Sequence, residues 1–358
     1  MYQQFFGLRK KPFGMTPDPG LLFLTGQHRE ALAGLTYAIL DRKGFVVLTG
    51  EAGTGKTTLL AKVLQSLPTS RIQSSVILNP TLTPAEFLEM ALLDFGMTEV
   101  PASKAQRLMK LQQLLLAGQR EGKISALVID EAHKLSAEVL EEIRLLGNFE
   151  RDDQKLLQIL LLGQSELNQV LNREDLRQLK QRIAVRFSIG ELSAAEVEQY
   201  VRYRWARAGG SLPTPFLPEA VTRLAEWSRG IPRVINAICD NALMLAFAES
   251  ASQVTAAHVT EACRDLDLID SERRPVKYVI PGPAPEPAAA RPRTAVTSGA
   301  RATTPASVEE TTAPAAEPAE PPAIPLPVLT QPAPLRTLEQ AGKASFFARW
   351  AGKLGLAQ

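Results

Sequence analysis

"GFVVLTGEAGTGKT", residues 44–57, decides the fold. Its first half is an apolar run of strand length, the pattern of a strand buried on both faces. Its second half, Gly50 to Thr57, matches GxxxxGK[S/T], and helical periodicity begins near Lys56. Strand, glycine loop and helix in that order make a phosphate site. The glycines let backbone N–H groups turn inward, and the helix N-terminus adds partial positive charge at the same point. Lys56 is placed to reach the β- and γ-phosphates, and the Thr57 hydroxyl to hold Mg²⁺. The candidate nucleotide contacts are therefore Gly50, Glu51, Ala52, Gly53, Thr54, Gly55, Lys56, Thr57 and Thr58. A glycine turn that matches by accident would not also carry the strand before and the helix after. The chain has no NKxD guanine-reading motif, so ATP is favoured over GTP.

Such a loop needs an acidic strand end to hold the metal, and "ALVIDEAHKL", residues 126–135, supplies one. Asp130 closes an apolar run and would face Mg²⁺, through water. Glu131 would orient and activate the attacking water. The string also spells DEAH, but a DEAH helicase needs a second domain of strands, and none is predicted here. A separate metal site is redundant, because hard Mg²⁺ takes oxygen ligands rather than imidazole. His133 is read as a local polar residue at the start of the next helix, not as a base or ligand.

Working outward, "IQSSVILN" (72–79), "ALVID", "LLQILLLG" and "IAVRFSI" read as further strands, with helical patterns between them. That alternation predicts a parallel sheet sandwiched by helices. From Ser193 the strands stop. Four helical stretches follow, near 193–208, 216–229, 232–248 and 255–267. "SAAE" is a capping box, and "PEA" and "IPR" place proline in a first turn. The expected fold class is α/β, with a small all-α lid bundle. The predicted divisions are 1–43 (N-terminal linker and first helix), 44–190 (core), 191–270 (helical lid), 271–336 (linker) and 337–358 (C-terminal helix). The linker holds 15 of the chain's 26 prolines. It cannot bury enough apolar surface to offset its ordering entropy, so it is expected to be disordered.

The net charge of +2 points to no particular polyanionic partner. The lid is acidic, 7 basic against 11 acidic residues over 191–270, which makes it a poor nucleic-acid surface. Two cysteines, Cys239 and Cys263, lie in no CxxC pattern and read as buried hydrophobes of a reducing compartment. The N-terminus lacks a signal-peptide apolar region, and no window reaches the ~18 apolar residues of a membrane span. A cytoplasmic chain is expected, with peripheral contact at the inner membrane as the alternative. That contact would come from "TLEQAGKASFFARWAGKLGLAQ", where Phe346, Phe347, Trp350 and Leu354 fall near one basic-edged helical face. Such a helix suits a partner's groove, an anionic membrane surface, or its own ATPase.

The opening "FFGLRKKPFGMTPDPGLLFLTGQHREALAGLTYAI", with "GFVVLTGEAGTGKTTLL", resembles the ExeA-type ATPases of the AAA+ class over roughly residues 1–270. More distantly the chain is similar to the ATPases that assist DNA transposition. The resemblance implies a P-loop AAA+ module and further site positions. Gln164, after the fourth strand, falls at sensor 1. Asn79, ending the second, falls where a polar residue can hold the catalytic Glu away from water. "LRQLKQRIAVRF" carries the arginine finger, with Arg182 first and Arg177 and Arg186 as alternatives. Arg233, in "RGIPRVINAI", falls at sensor 2. "TPDP" is expected near the adenine. A finger supplied by a neighbour is worth ~10³–10⁵ in rate, so an isolated subunit should be nearly idle. The expected activity is Mg²⁺-dependent ATP hydrolysis in a homo-oligomer that remodels or regulates a protein partner, in envelope secretion or polysaccharide export. A DNA-binding ATPase of the transposition-helper type is the alternative, and a nucleotide-gated scaffold the third. Some family members continue into a membrane span and a peptidoglycan-binding domain, and this chain is expected to carry neither.

Overall fold

The computed structural model describes residues 1–268 except Thr69, Asn79 and Pro80. The Asn79 assignment, the proline-rich linker and the C-terminal helix lie outside the described residues. Among those residues the strands are β1 (Phe45–Gly50), β2 (Ile72–Ile77), β3 (Ile124–Ile129), β4 (Glu150–Arg151), β5 (Gln154–Lys155), β6 (Leu157–Gly163) and β7 (Ile183–Ile189). The helices of the first half are α1 (Tyr2–Phe5), α2 (Gly26–Leu40), α3 (Lys56–Ser66), α4 (Pro84–Asp94), α5 (Lys104–Arg120) and α6 (Ala137–Leu146). Those of the second half are α7 (Glu166–Leu171), α8 (Arg177–Arg182), α9 (Ala194–Arg207), α10 (Pro218–Ser228), α11 (Pro232–Ala248) and α12 (Ala256–Asp265).

Five strands form one parallel sheet in the order β2-β3-β6-β1-β7. Every residue of β1, β3 and β6 is buried, as continuous apolar runs require. Their side chains alternate between two cores, because successive Cβ atoms point to opposite faces. Val46, Leu48, Ala126, Val128, Leu160 and Leu162 pack with α2 and α3. Phe45, Val47, Leu127, Ile129, Ile159 and Leu161 pack with α4, α5 and α6. β4 and β5 form a small antiparallel hairpin that the sequence does not announce, because two-residue strands carry no periodicity.

The lid, α9 to α12, has its own core. Its helices start where the cap signals lie. The Ser193–Glu196 capping box is formed, and Pro218 and Pro232 open α10 and α11. The N-terminus supplies a finding the sequence hides. Tyr2, Leu8 and Phe13 are buried in the lid core rather than against the sheet. Phe6 meets Trp205 edge to face, and Phe13 meets Phe216, both at 5.9 Å between centroids. The buried Arg204 ties the segment down, donating from Nε to the Pro12 carbonyl at 2.6 Å. Residues 14–23 then run from the lid back to α2 and the sheet.

Candidate nucleotide site

The strand order places the chemistry. The glycine loop leaves the carboxyl end of β1, Asp130 leaves β3, and Gln164 leaves β6, which lies between them. Parallel strands put all three ends on one edge, the usual ligand edge of such sheets. The loop can turn because Gly53 and Gly55 stand at φ +86° and +101°, a region side chains disfavour. Gly53 is also crowded, since a Cβ there would come within 2.6 Å of the Arg233 Cβ.

Lys56 is 5% exposed. Its Nζ donates to the carbonyls of Gly50 at 2.8 Å and Glu51 at 3.0 Å. Burial lowers its pKa, against the raising pull of Asp130, Glu131 and other carboxylates nearby. The Thr57 hydroxyl donates to Asp130 Oδ2 at 2.6 Å, although the two lie 73 residues apart in sequence. A hydroxyl and a carboxylate converging beside a phosphate loop are hard oxygen donors and fit Mg²⁺. Among the described residues no group of three or more His, Cys, Asp or Glu could hold a metal by itself. Thr57 and Asp130 would thus complete a coordination shell with phosphate oxygens and water.

Glu131 lines the cavity beside the phosphate loop. It adopts φ +54°, rare for a residue with a side chain, and its N–H donates to Asp130 Oδ1 at 2.9 Å. Its Oε2 lies 3.2 Å from Lys134 Nζ and 3.7 Å from His133 Nε2. Burial pushes the Glu131 carboxyl up, but the Lys134 hydrogen bond and the Lys134 and Lys56 charges outweigh it and hold the group ionised. His133 sits in a single 3₁₀ turn, and its Nδ1 accepts the Gln164 backbone N–H at 3.3 Å. The histidine is thus not confined to local contacts: its bond to Gln164, 31 residues on, joins the β3 and β6 strand ends.

The cavity, about 270 Å³, lies between the loop, residues 14–23 and the lid. Met15, Thr16, Pro17 and Asp18 line it, with Thr54, Thr57 and Thr58. Arg233, in the first turn of α11, also lines it, and its N–H donates to the Gly53 carbonyl at 3.2 Å. The lid therefore rests directly on the phosphate loop. None of Arg177, Arg182 and Arg186 lines the cavity of its own chain. Arg182 Nη1 instead donates to the Arg144 carbonyl at 3.2 Å and to Asn148. The Gln164 side chain does not line the cavity either, while its neighbour Ser165 donates to Glu51 of the loop.

Four contributors escape a sequence reading. His28 is 2% exposed and touches the Thr54 carbonyl. Tyr200 and Asn236 line the lid side of the cavity, joined by a 2.8 Å hydrogen bond, and Arg204 Nη1 donates to the Tyr200 hydroxyl at 2.9 Å. A polar residue on an otherwise apolar helix face is the only signal these positions leave in the sequence.

The AAA domain family matches residues 39–171. General secretion pathway protein A of Aeromonas hydrophila is 44% identical over 276 residues, 76% of this chain and 50% of that protein. The chain thus spans about half the length of that relative. ATP-dependent target DNA activator B of Escherichia phage Mu is 26% identical, over 70% of this chain and 75% of that one. Among solved structures, the ORC2 protein of Aeropyrum pernix, solved in ADPNP and ADP complexes, has a TM-score of 0.55 at 17% identity. That match covers 72% of this chain and 71% of that one, and shows a shared fold. With the strand order, the glycine loop and the acidic strand end in place, these likenesses lead to one conclusion: the chain carries an AAA domain and over 76% of its length resembles the ExeA-type AAA+ ATPases.

Proposed function

We propose that the chain binds Mg²⁺·ATP in this cavity and hydrolyses it in an oligomer, to remodel or regulate a protein partner in envelope secretion or polysaccharide export. The observation that carries the reading is the convergence of Lys56, Thr57, Asp130 and Glu131 on one loop from two distant strand ends. The loop N–H groups and Lys56 bind the β- and γ-phosphates, and Thr57 and Asp130 hold the metal. When bound, Mg²⁺ neutralises charge on the phosphate oxygens. Glu131 orients a water and draws its proton as the water oxygen attacks the γ-phosphorus. The bond to the β-phosphate oxygen breaks, and ADP and phosphate leave.

Arg182, half-buried and not lining its own cavity, would reach a neighbour's γ-phosphate, with the exposed Arg177 and Arg186 as the alternatives on that segment. Arg233 and Gln164 would read the γ-phosphate from the lid and from β6. Because the lid rests on Gly53, loss of that phosphate would change the lid angle. Among the described residues no helix is long and apolar enough to cross a membrane. The site's reading as an ATPase of the secretion type is the ground on which we place the chain in the cytoplasm, with peripheral contact at the inner membrane.

Glu131→Gln tests the reading. It should keep ATP binding while turnover by the assembled protein falls ~10²–10⁴-fold, the usual weight of a positioned base. Turnover equal to wild type would sink the proposal. A second reading draws on the phage relative, a DNA activator by its name. Strong, salt-dependent binding of duplex DNA in the presence of ATP would favour it. The acidic lid argues against it.

A further inference from the structure

A peptide unit is planar and holds its C=O and the following N–H on opposite sides. Whatever fixes the Thr54 carbonyl therefore sets the direction of the Gly55 N–H. His28 Nε2 lies 3.2 Å from that carbonyl oxygen. A carbonyl oxygen only accepts, so Nε2 carries the hydrogen. In the neutral ring Nδ1 is then left to accept from the Thr25 hydroxyl, 2.8 Å away. The ring is thus fixed at both nitrogens and buried. Burial also lowers its pKa, against the pull of the Thr54 carbonyl and Glu196, which favours the neutral form. The loop needs such an anchor. Gly55 stands at φ +101° as the residue before α3, where its own conformation leaves the peptide free to turn. His28 Nε2 is 3.7 Å from the point a Gly55 Cβ would occupy.

We infer that His28 is a positioning residue for nucleotide: by anchoring the Thr54 carbonyl it aims the Gly55 N–H into the phosphate cradle. The inference rests on the reading that this loop binds nucleotide. His28 acts through the backbone rather than on the phosphates. A histidine that only filled the core would contribute to stability alone. A positioning histidine also sets phosphate affinity, and another donor of the same reach can replace it.

The experiment measures Mg²⁺·ADP binding to the full chain by calorimetry, for wild type, Lys56→Ala, His28→Gln and His28→Leu. The Gln amide reaches as far as Nε2 and can donate to the same carbonyl, so its Kd should stay within ~3-fold of wild type, while His28→Leu should raise Kd ~10-fold, the weight of one buried hydrogen bond. The Gly55 amide proton resonance should move on ADP addition in wild type and His28→Gln, and stay put in His28→Leu. Equal weakening by Gln and Leu, or wild-type binding by Leu, would overturn the inference. If His28→Leu does not fold, His28→Asn takes its place, since its shorter amide cannot reach, and equal affinity for Asn and Gln overturns the inference. The underlying reading fails in a different way: wild type does not bind ADP, or Lys56→Ala binds it as tightly as wild type does.

Discussion

A buried charge, a left-handed backbone and a buried imidazole meet around the phosphate loop. Lys56 gives up solvent and is compensated by two loop carbonyls. Glu131 holds a left-handed backbone beside Asp130, and strain of that kind gathers where geometry serves chemistry. His28 adds a pH dependence. The folded protein holds its imidazole neutral, chiefly by burial, below the ordinary value near 6.5. The unfolded chain therefore takes up that proton first as pH falls. His28's contribution to stability is fully present above about pH 6.5 and is lost below it. Between about pH 7.5 and pH 5 the thermal midpoint of wild type should fall further than that of His28→Gln. Parallel midpoint curves would show that His28 does not titrate between the folded and unfolded states.

Elements were read best where their ends carry chemistry. α9 begins at Ser193 because its hydroxyl accepts the Glu196 N–H at 3.3 Å and Glu196 returns to the Ser193 N–H at 2.9 Å. α10 and α11 begin with proline, whose missing N–H costs nothing there. α9 also carries Tyr200 and Arg204 to the cavity, so its cap has a functional consequence. Ser193→Ala should cost ~1 kcal/mol in urea unfolding, the usual weight of a lost N-cap. The core strands were legible from their unbroken apolar runs. The β4–β5 hairpin and α1 were not, because each is too short to show a period. α1 holds its place by packing: Phe5 against Phe247, and the Tyr2 hydroxyl on Asp240.

Over the whole chain the N-terminus is the connection that matters most. Residues 2–13 are built into the lid, 14–18 and 21–23 line the cavity, and α2 belongs to the sheet layer. A nucleotide in the cavity would thus be gripped by core, lid and the strand of chain between them. Phe13 is completely buried in the lid. Phe13→Ala should cost ~3–5 kcal/mol, the range for emptying a buried aromatic site. It should also weaken ATP binding, because the segment over the cavity loses its anchor. A midpoint drop with unchanged ATP affinity would show that the lid holds residues 14–23 without Phe13.

Two matching tetrads mark what sequence settles and what it leaves open. Thr25-x-x-His28 and Thr255-x-x-His258 both start helices, and in both the threonine caps. The sequence determined that much, together with the sheet, the lid and the phosphate loop, because caps, apolar periods and glycine spacings are local physics. The destinations of the two rings are not local. His258 Nε2 meets the exposed Glu249 at 2.9 Å, while His28 Nε2 meets the phosphate loop. Only the packing of α2 beside α3 brought the second ring to Thr54, a contact 26 residues along the chain. The same holds for Phe13 in the lid, whereas the motifs alone already set Thr57 and Asp130 at one metal. The His28 and Phe13 contacts pair groups whose separation in sequence carries no signal, and each is decided by which faces of the elements bury together.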